Sequence, residues 1–199
     1  MLKQFRWLLI PLLLAAVVLL VYIRGQNFNP NPKYSIGQAI DSLEGVKVYY
    51  NGMVGHGSGR TTSADGYNIG IKYQCVEFVK RYYYEHYHHK MPDAYGNAKD
   101  LFDTTLSDGA LNLKRDLVQF KNPSAAKPRV GDLLIFNGHE TNIYGHVAIV
   151  SAVNEKEIEL IQQNPGPFAP SRVKFGMDST AKGFLVKQDR LLGWLRMKN

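Results

Sequence analysis

The chain has one cysteine, Cys75, among its 199 residues. One thiol cannot form an intrachain disulfide, so the fold must draw its stability from a hydrophobic core. Once the apolar N-terminal segment is set aside, about 175 residues remain, which is enough for one domain with such a core. The aromatic content of 12% favours a globular fold over a disordered chain.

Cys75 lies where a helical pattern begins. Apolar side chains recur at Val76, Val79 and Tyr83, which is the spacing of one helix face and places Cys75 in the first turn. The unpaired N–H groups and the positive dipole end of a helix start favour a thiolate. We therefore interpret Cys75 as a candidate nucleophile. The alternative is a small buried apolar residue with no chemical role.

The first 25 residues predict a membrane anchor. Lys3 and Arg6 precede residues 7–23, which carry no charge, and Arg24 closes the segment. This run is longer than the core of a usual signal peptide, and no Ala-x-Ala cleavage site follows it. We predict a signal anchor, a transmembrane helix, over residues 1–25, with a cleaved signal peptide as the alternative. The basic residues before the span predict a single-pass protein whose domain faces the extracytoplasmic side.

Residues 26–33 hold three Asn and two Pro, a composition typical of an extended linker. We predict that the domain covers residues 34–199. The net charge of +7 is spread along the chain without one dense stripe, so the sequence predicts no nucleic-acid partner, whereas an anionic envelope surface is compatible with this charge.

The order of the predicted elements indicates an α+β domain. A short strand at residues 46–50 comes first, and helices over residues 74–88 and 98–106 follow. Later β-rich runs span residues 132–136, 146–153, 157–163, 183–186 and 194–197. We expect them to form an antiparallel sheet against which the helices pack.

His146 opens one of these strands directly after Gly145, where a strand end can face a cleft. Acyl transfer by a thiol needs such a base and a polar group that holds the base in the correct tautomer. In the predicted hairpin, Gln162 and Asn164 return to the level of His146 on one face, and Gln163 on the other. The alternatives are a histidine satisfied by the backbone and polar residues that solvate a strand end.

The other histidines form weaker candidate sites. His86, His88 and His89 follow tyrosine-rich helix residues, and no cysteine or close carboxylate pair completes a metal-binding set. We predict a solvated helix end there and no metal site. His139 is a rival base, but it lies in a loop that would hold its ring poorly.

Four sequence blocks occur in the order of a known family, at residues 74–78, 131–136, 144–150 and 163–164. They resemble the CHAP family of cysteine, histidine-dependent amidohydrolases and peptidases. The first and third blocks are most similar to the amidase domain of glutathionylspermidine synthetase/amidase. The resemblance implies a papain-like α+β fold, with N-terminal helices packed on an antiparallel sheet. It also implies hydrolysis of amide bonds in peptidoglycan peptides or in glutathionylspermidine.

Carried over residue by residue, the resemblance implies that Cys75 is the nucleophile and His146 the general base. Gln74 and the Cys75 backbone N–H group are implied as oxyanion donors. Gln162 stands where the amidase relatives carry a glutamate that orients the histidine. A neutral amide can still hold the ring, although it stabilises the imidazolium less, and Asn164 can share this role. No cofactor is implied.

Together these features predict a membrane-anchored, thiol-dependent amidase or peptidase. It would cleave an amide bond in peptidoglycan peptides through a Cys–His thioester mechanism, and its N-terminal helix would hold it in the membrane. One alternative is an amidase of glutathionylspermidine-like polyamine conjugates. A second is an inactive CHAP-type binding domain, which the amide at Gln162 would permit.

Overall fold

The computed structural model describes residues 10–21 and 28–198 of the chain. Helix α1 covers residues 10–21, and its side chains are exposed. A membrane span takes about 20 apolar residues, and none of the helices in these two ranges is long and apolar enough to cross a membrane. This finding contradicts the predicted transmembrane helix and the predicted single-pass, membrane-anchored location. The rest of the predicted anchor, residues 1–9 and 22–25, lies outside the described residues.

Most of the regular secondary structure among the described residues is β-strand. The elements that follow α1 are β1 (Ala39–Leu43), β2 (Val46–Tyr49), β3 (Arg60–Thr62), β4 (Asn68–Ile71), α2 (Cys75–Tyr87), the 3-10 turn η1 (Lys99–Leu101), β5 (Ala110–Asn112), β6 (Leu117–Lys121), β7 (Leu133–Phe136), β8 (His146–Val153), β9 (Glu157–Ile161), β10 (Arg172–Thr180), β11 (Gly183–Val186) and β12 (Leu191–Arg196).

The predicted fold class, with N-terminal helices on a sheet behind a transmembrane helix, was wrong. Helix α2 forms where it was predicted, but the predicted helix over residues 98–106 is reduced to η1. Asp103 supplies the physical reason, because its Oδ1 accepts hydrogen bonds from the Thr105 N–H group at 3.0 Å and hydroxyl at 2.6 Å. Such local side-chain bonds compete with helical ones. Among the described residues of the domain, strands therefore outnumber helices.

The main sheet contains eight strands in the order β11-β10-β9-β8-β7-β12-β6-β5. Neighbouring strands pair antiparallel, so the predicted antiparallel sheet is present. Strands β8 and β9 form the predicted hairpin, with Ile149 opposite Ile161. This register brings the start of β8 level with the end of β9. His146 is the first residue of β8, and Gln162 directly follows the last residue of β9.

Apolar clusters cover both faces of the sheet. On one face, α2 packs through Phe78 and Tyr82 against a cluster that includes Val147 and Ile149 of β8. On the other face, Trp194 is fully buried in a second cluster. Because β8 is covered on both sides, its sequence is a continuous apolar run rather than an alternating one. The packing holds the start of α2 close to the start of β8.

Strand β4 approaches α2 closely because Gly70 has no side chain. A Cβ atom at Gly70 would lie 3.0 Å from the Glu77 Cα atom. The backbone φ of Gly70, +148°, is also one that other residues rarely adopt. Glycine at this position therefore lets the β3–β4 hairpin pack against the first turns of the helix.

Part of the predicted linker contacts the domain. Asn31 Nδ2 donates to the Pro167 carbonyl oxygen at 2.9 Å, and the Tyr50 hydroxyl donates to Asn29 Oδ1 at 2.8 Å. Residues 26 and 27 of that linker lie outside the described part of the chain. The division of the chain at residue 34 stays a prediction.

Candidate active site

Cys75 is the first residue of α2 and is half-buried. Burial raises the pKa of its thiol, and the N–H groups of Val147, Val76 and Cys75 itself only partly oppose this rise. The structure thus differs from the expectation that a helix start favours the thiolate, because the loss of solvation outweighs the helix N–H groups. The proximity of the Val147 N–H group places the sulfur beside the start of β8, next to His146.

His146 and Gln162 form a direct hydrogen bond, with 3.0 Å between His146 Nε2 and Gln162 Oε1. The amide nitrogen of Gln162 is also held, because Nε2 donates to the Pro170 carbonyl oxygen at 3.1 Å. A carbonyl can only accept, so Oε1 must face the ring. His146 therefore carries its proton on Nε2, and Nδ1 is left free to accept one.

The same two contacts explain how an amide can hold the His146 ring at a position where the resemblance implies a glutamate. A carboxylate could accept the hydrogen bond from His146 Nε2, but it could not donate to the Pro170 carbonyl oxygen. Gln162 does both. The neutral amide stabilises an imidazolium less than a carboxylate would.

Burial lowers the pKa of His146 to about 4, although the hydrogen bond that the ring donates to Gln162 opposes this shift, and the Arg190 charge lowers the pKa further. His146 is therefore neutral at pH 7. The hydrogen bonds of the described residues include none between Cys75 Sγ and the His146 ring. The unliganded site holds a neutral thiol near a neutral imidazole, and catalytic hydrogen bonds in such sites commonly tighten only when substrate binds.

Gln74 and Asn164 contact each other rather than His146. Gln74 Nε2 donates to the carbonyl oxygens of Val54 at 3.0 Å and His56 at 2.6 Å, and Gln74 Oε1 accepts from Asn164 Nδ2 at 2.7 Å. Both side-chain N–H bonds of Gln74 are thus engaged, and its role as an oxyanion donor stays a prediction. The backbone N–H group of Cys75, the first helical residue, has no intrahelical acceptor and is available.

Gln163 supports the site in a way that the sequence analysis missed. It is fully buried, and its Oε1 accepts from the Tyr49 N–H group at 2.7 Å. Its Nε2 donates to the Gln74 carbonyl oxygen at 3.0 Å and to Glu77 Oε2 at 2.9 Å. Gln163 thereby ties the end of β9 to the first turn of α2. The sequence signal for this role was the alternation of side chains along the predicted strand, which places Gln163 on the opposite face from Gln162.

A cavity of about 240 Å³, which we call the His146 cavity, opens beside the candidate base. Most of its polar lining is neutral, and its eleven lining residues are Val54, Phe136, Thr141, Asn142, His146, Gln162, Asn164, Pro165, Phe175, Gln188 and Arg190. A larger cavity of about 270 Å³ lies against Tyr34 and Phe168 and is not lined by His146. The His146 cavity is therefore the better candidate for the space that admits a substrate.

The two pKa shifts predict the pH dependence of Cys75 alkylation. Because the thiol pKa is raised and that of His146 is lowered to about 4, no thiolate–imidazolium pair forms in the free protein. The rate constant for reaction with iodoacetamide should rise about tenfold per pH unit from pH 6 to pH 9, without a plateau. Mass spectrometry of samples quenched at successive times measures this rate constant. A plateau that begins near pH 5 would show a preformed ion pair, and the His146→Ala variant should keep the steep wild-type profile.

Comparison with known proteins gives one family and several distant relatives. A CHAP domain family model matches residues 64–164. Trypanothione synthetase of Crithidia fasciculata is 26% identical over 139 residues, which cover 69% of this chain and 21% of that protein. The bifunctional glutathionylspermidine synthetase/amidase of Escherichia coli (strain K12) is 32% identical over 102 residues, which cover 48% of this chain and 16% of that protein. The chain thus spans about a fifth or less of the length of these relatives.

Among solved structures, that of Ly7917 aligns over 63% of this chain and 54% of that chain. The TM-score is 0.37 and the identity 14%, a likeness too low to support any inference. The family match is stronger evidence. It covers about half of the chain and includes Cys75, His146 and Gln162. It confirms the resemblance seen in the sequence and the predicted enzyme class, an amidohydrolase. The chain belongs to the CHAP domain family.

Proposed function

We propose that the protein cleaves an amide bond of a peptide substrate, with Cys75 as nucleophile and His146 as general base. The observation that carries the proposal is the orientation of His146. His146 Nε2–H donates to Gln162 Oε1 at 3.0 Å, which leaves Nδ1 as the basic nitrogen. The ring that carries this nitrogen lies at the start of β8. The next residue in that strand, Val147, has its N–H group at the Cys75 sulfur.

The reaction follows from these positions. As Cys75 Sγ attacks the amide carbonyl, its proton passes to His146 Nδ1, and the oxyanion is met by the Cys75 backbone N–H group. The C–N bond then breaks as the imidazolium protonates the leaving amine, which leaves a thioester on Cys75. Water attacks the thioester and gives a proton to His146. When the C–S bond breaks, that proton returns to the sulfur and a carboxylic acid is released.

Two substrate classes fit this chemistry. Peptidoglycan peptides were the first substrate class expected from the sequence, because the predicted anchor put the domain in the envelope. That anchor is contradicted, so location no longer favours them, and they rest on the CHAP resemblance alone. The second class, glutathionylspermidine-like conjugates, is supported by relatives named as glutathionylspermidine synthetase/amidase and glutathionylspermidine synthase.

One experiment tests the activity and separates the two classes. The purified full chain is incubated with glutathionylspermidine and, separately, with soluble peptidoglycan peptides, and the products are identified by mass spectrometry. Release of spermidine and glutathione assigns the polyamine conjugate, whereas a new free amine in the stem or cross-bridge peptide assigns peptidoglycan. If both substrates remain intact, the proposed activity is wrong. Saturable binding without cleavage would then support the inactive CHAP-type binding domain.

A further inference from the structure

The charge distribution of the His146 cavity is one-sided. Arg190 is the only residue among the eleven that line it with a side chain charged at neutral pH, since burial keeps His146 neutral. None of these eleven lining residues, all from the described part of the chain, is an aspartate or a glutamate. A cavity that holds a cation and no anion is complementary to an anionic group.

The Arg190 guanidinium is exposed and forms no salt bridge within residues 28–198. Asp189, its neighbour in the sequence, does not form a salt bridge with Arg190 either. Other arginines near the sheet are engaged by acidic partners, such as Arg172 with Asp41 at 2.9 Å and Arg196 with Asp132 at 2.6 Å. The charge of Arg190 is therefore available to a ligand.

The backbone of Arg190 is held in place although its side chain is exposed. Its N–H group donates to Gln188 Oε1 at 3.0 Å, and its carbonyl oxygen accepts from the Asn137 N–H group at 2.7 Å. These bonds fix the turn that leads into β12 against the end of β7. Gln188 also lines the cavity, so the held turn brings the Arg190 side chain and a neutral amide to the same cavity.

We propose that Arg190 is a substrate-binding residue that selects amide substrates carrying a free carboxylate. The guanidinium fork matches a carboxylate with two parallel hydrogen bonds. This inference rests on the proposed function, since it names the kind of substrate that the Cys75–His146 site accepts. Both substrate classes fit it, because each contains a γ-linked glutamyl residue whose α-carboxylate is free in the non-amidated form, although in glutathionylspermidine it lies two residues from the bond that is cleaved.

The test compares each substrate with an analogue that differs only in having that α-carboxylate replaced by a carboxamide. Wild-type protein should cleave the carboxylate form with a kcat/KM about tenfold higher. Arg190→Ala should lose this tenfold preference by slowing the carboxylate form alone, and Arg190→Lys should keep part of it. Lys182→Ala, which removes a positive charge from an exposed turn outside the cavity lining, should behave as wild type. Equal loss on both forms, or no loss on either, would overturn the assignment.

A second measurement separates this inference from the proposed activity. Binding of glutathionylspermidine, of a γ-glutamyl stem peptide and of both carboxamide analogues is measured by calorimetry on the Cys75→Ala protein, which cannot turn them over. Tighter binding of a carboxylate form that disappears in Cys75→Ala/Arg190→Ala supports the Arg190 site even if the wild-type protein hydrolyses neither substrate. Equal affinity for the two forms, or no binding of any of them, refutes it.

Discussion

Replacement of Cys75 by alanine is expected to lower the rate of amide hydrolysis by at least about 10⁴-fold. Without the thiol no thioester can form, and loss of the nucleophile removes the contribution of the base as well, because the two act as a unit. Initial rates of product release measure the effect. A variant that retains turnover would rule out Cys75 as the nucleophile.

The fold should tolerate this change. Cys75 is half-buried, and its side chain is hydrogen-bonded only to nearby backbone N–H groups. The expected loss in the free energy of unfolding is about 1 kcal/mol, which a urea titration would detect. Lys72→Ala is a suitable control, since Lys72 is exposed just before the helix and outside the site, and it should leave both stability and turnover unchanged.

The sequence predicted those parts of the site that depend on local patterns. The spacing of Val76, Val79 and Tyr83 placed Cys75 at the start of a helix, and the structure has that helix at Cys75–Tyr87. The hairpin register placed Gln162 near His146, and the two side chains are hydrogen-bonded. Helix period and strand alternation are properties of short segments, which is why the sequence alone was enough.

Features that depend on tertiary contacts were not predicted. The helix expected over residues 98–106 gave way to side-chain bonds at Asp103, and the expected transmembrane helix was not found among the described residues. The direction of the Cys75 pKa shift was also missed, because helix-end N–H groups can be predicted from sequence whereas burial of the sulfur cannot. Arg190 directly precedes β12, and the sheet order β8-β7-β12 brings it to the cavity that His146 lines. This strand order is a tertiary feature.

Gln162 should control activity through the tautomer of His146. Replacement by leucine removes the acceptor for Nε2–H, so that the proton can move to Nδ1 and block the base. We expect kcat/KM to fall roughly 10³- to 10⁴-fold in Gln162→Leu, since a wrong tautomer in a catalytic triad lowers kcat about 10⁴-fold. The pH profile shows whether the effect acts through His146. In the wild-type protein the pKa of His146 is lowered to about 4, so kcat/KM should fall only as the pH approaches 4.

Gln162→Glu is the matched variant, because a carboxylate can still accept from Nε2–H and keep the ring in its tautomer. It should retain much of the activity that Gln162→Leu loses. A negative charge beside the ring favours the imidazolium and raises the pKa of His146. Since the free protein needs the neutral base, the acid limb of kcat/KM must then move to higher pH. The carboxylate would face the Pro170 carbonyl oxygen without a proton to donate, so Gln162→Glu should also unfold at lower urea concentration. If Gln162→Leu matches the wild-type rate and Gln162→Glu leaves the acid limb in place, Gln162 does not position the base.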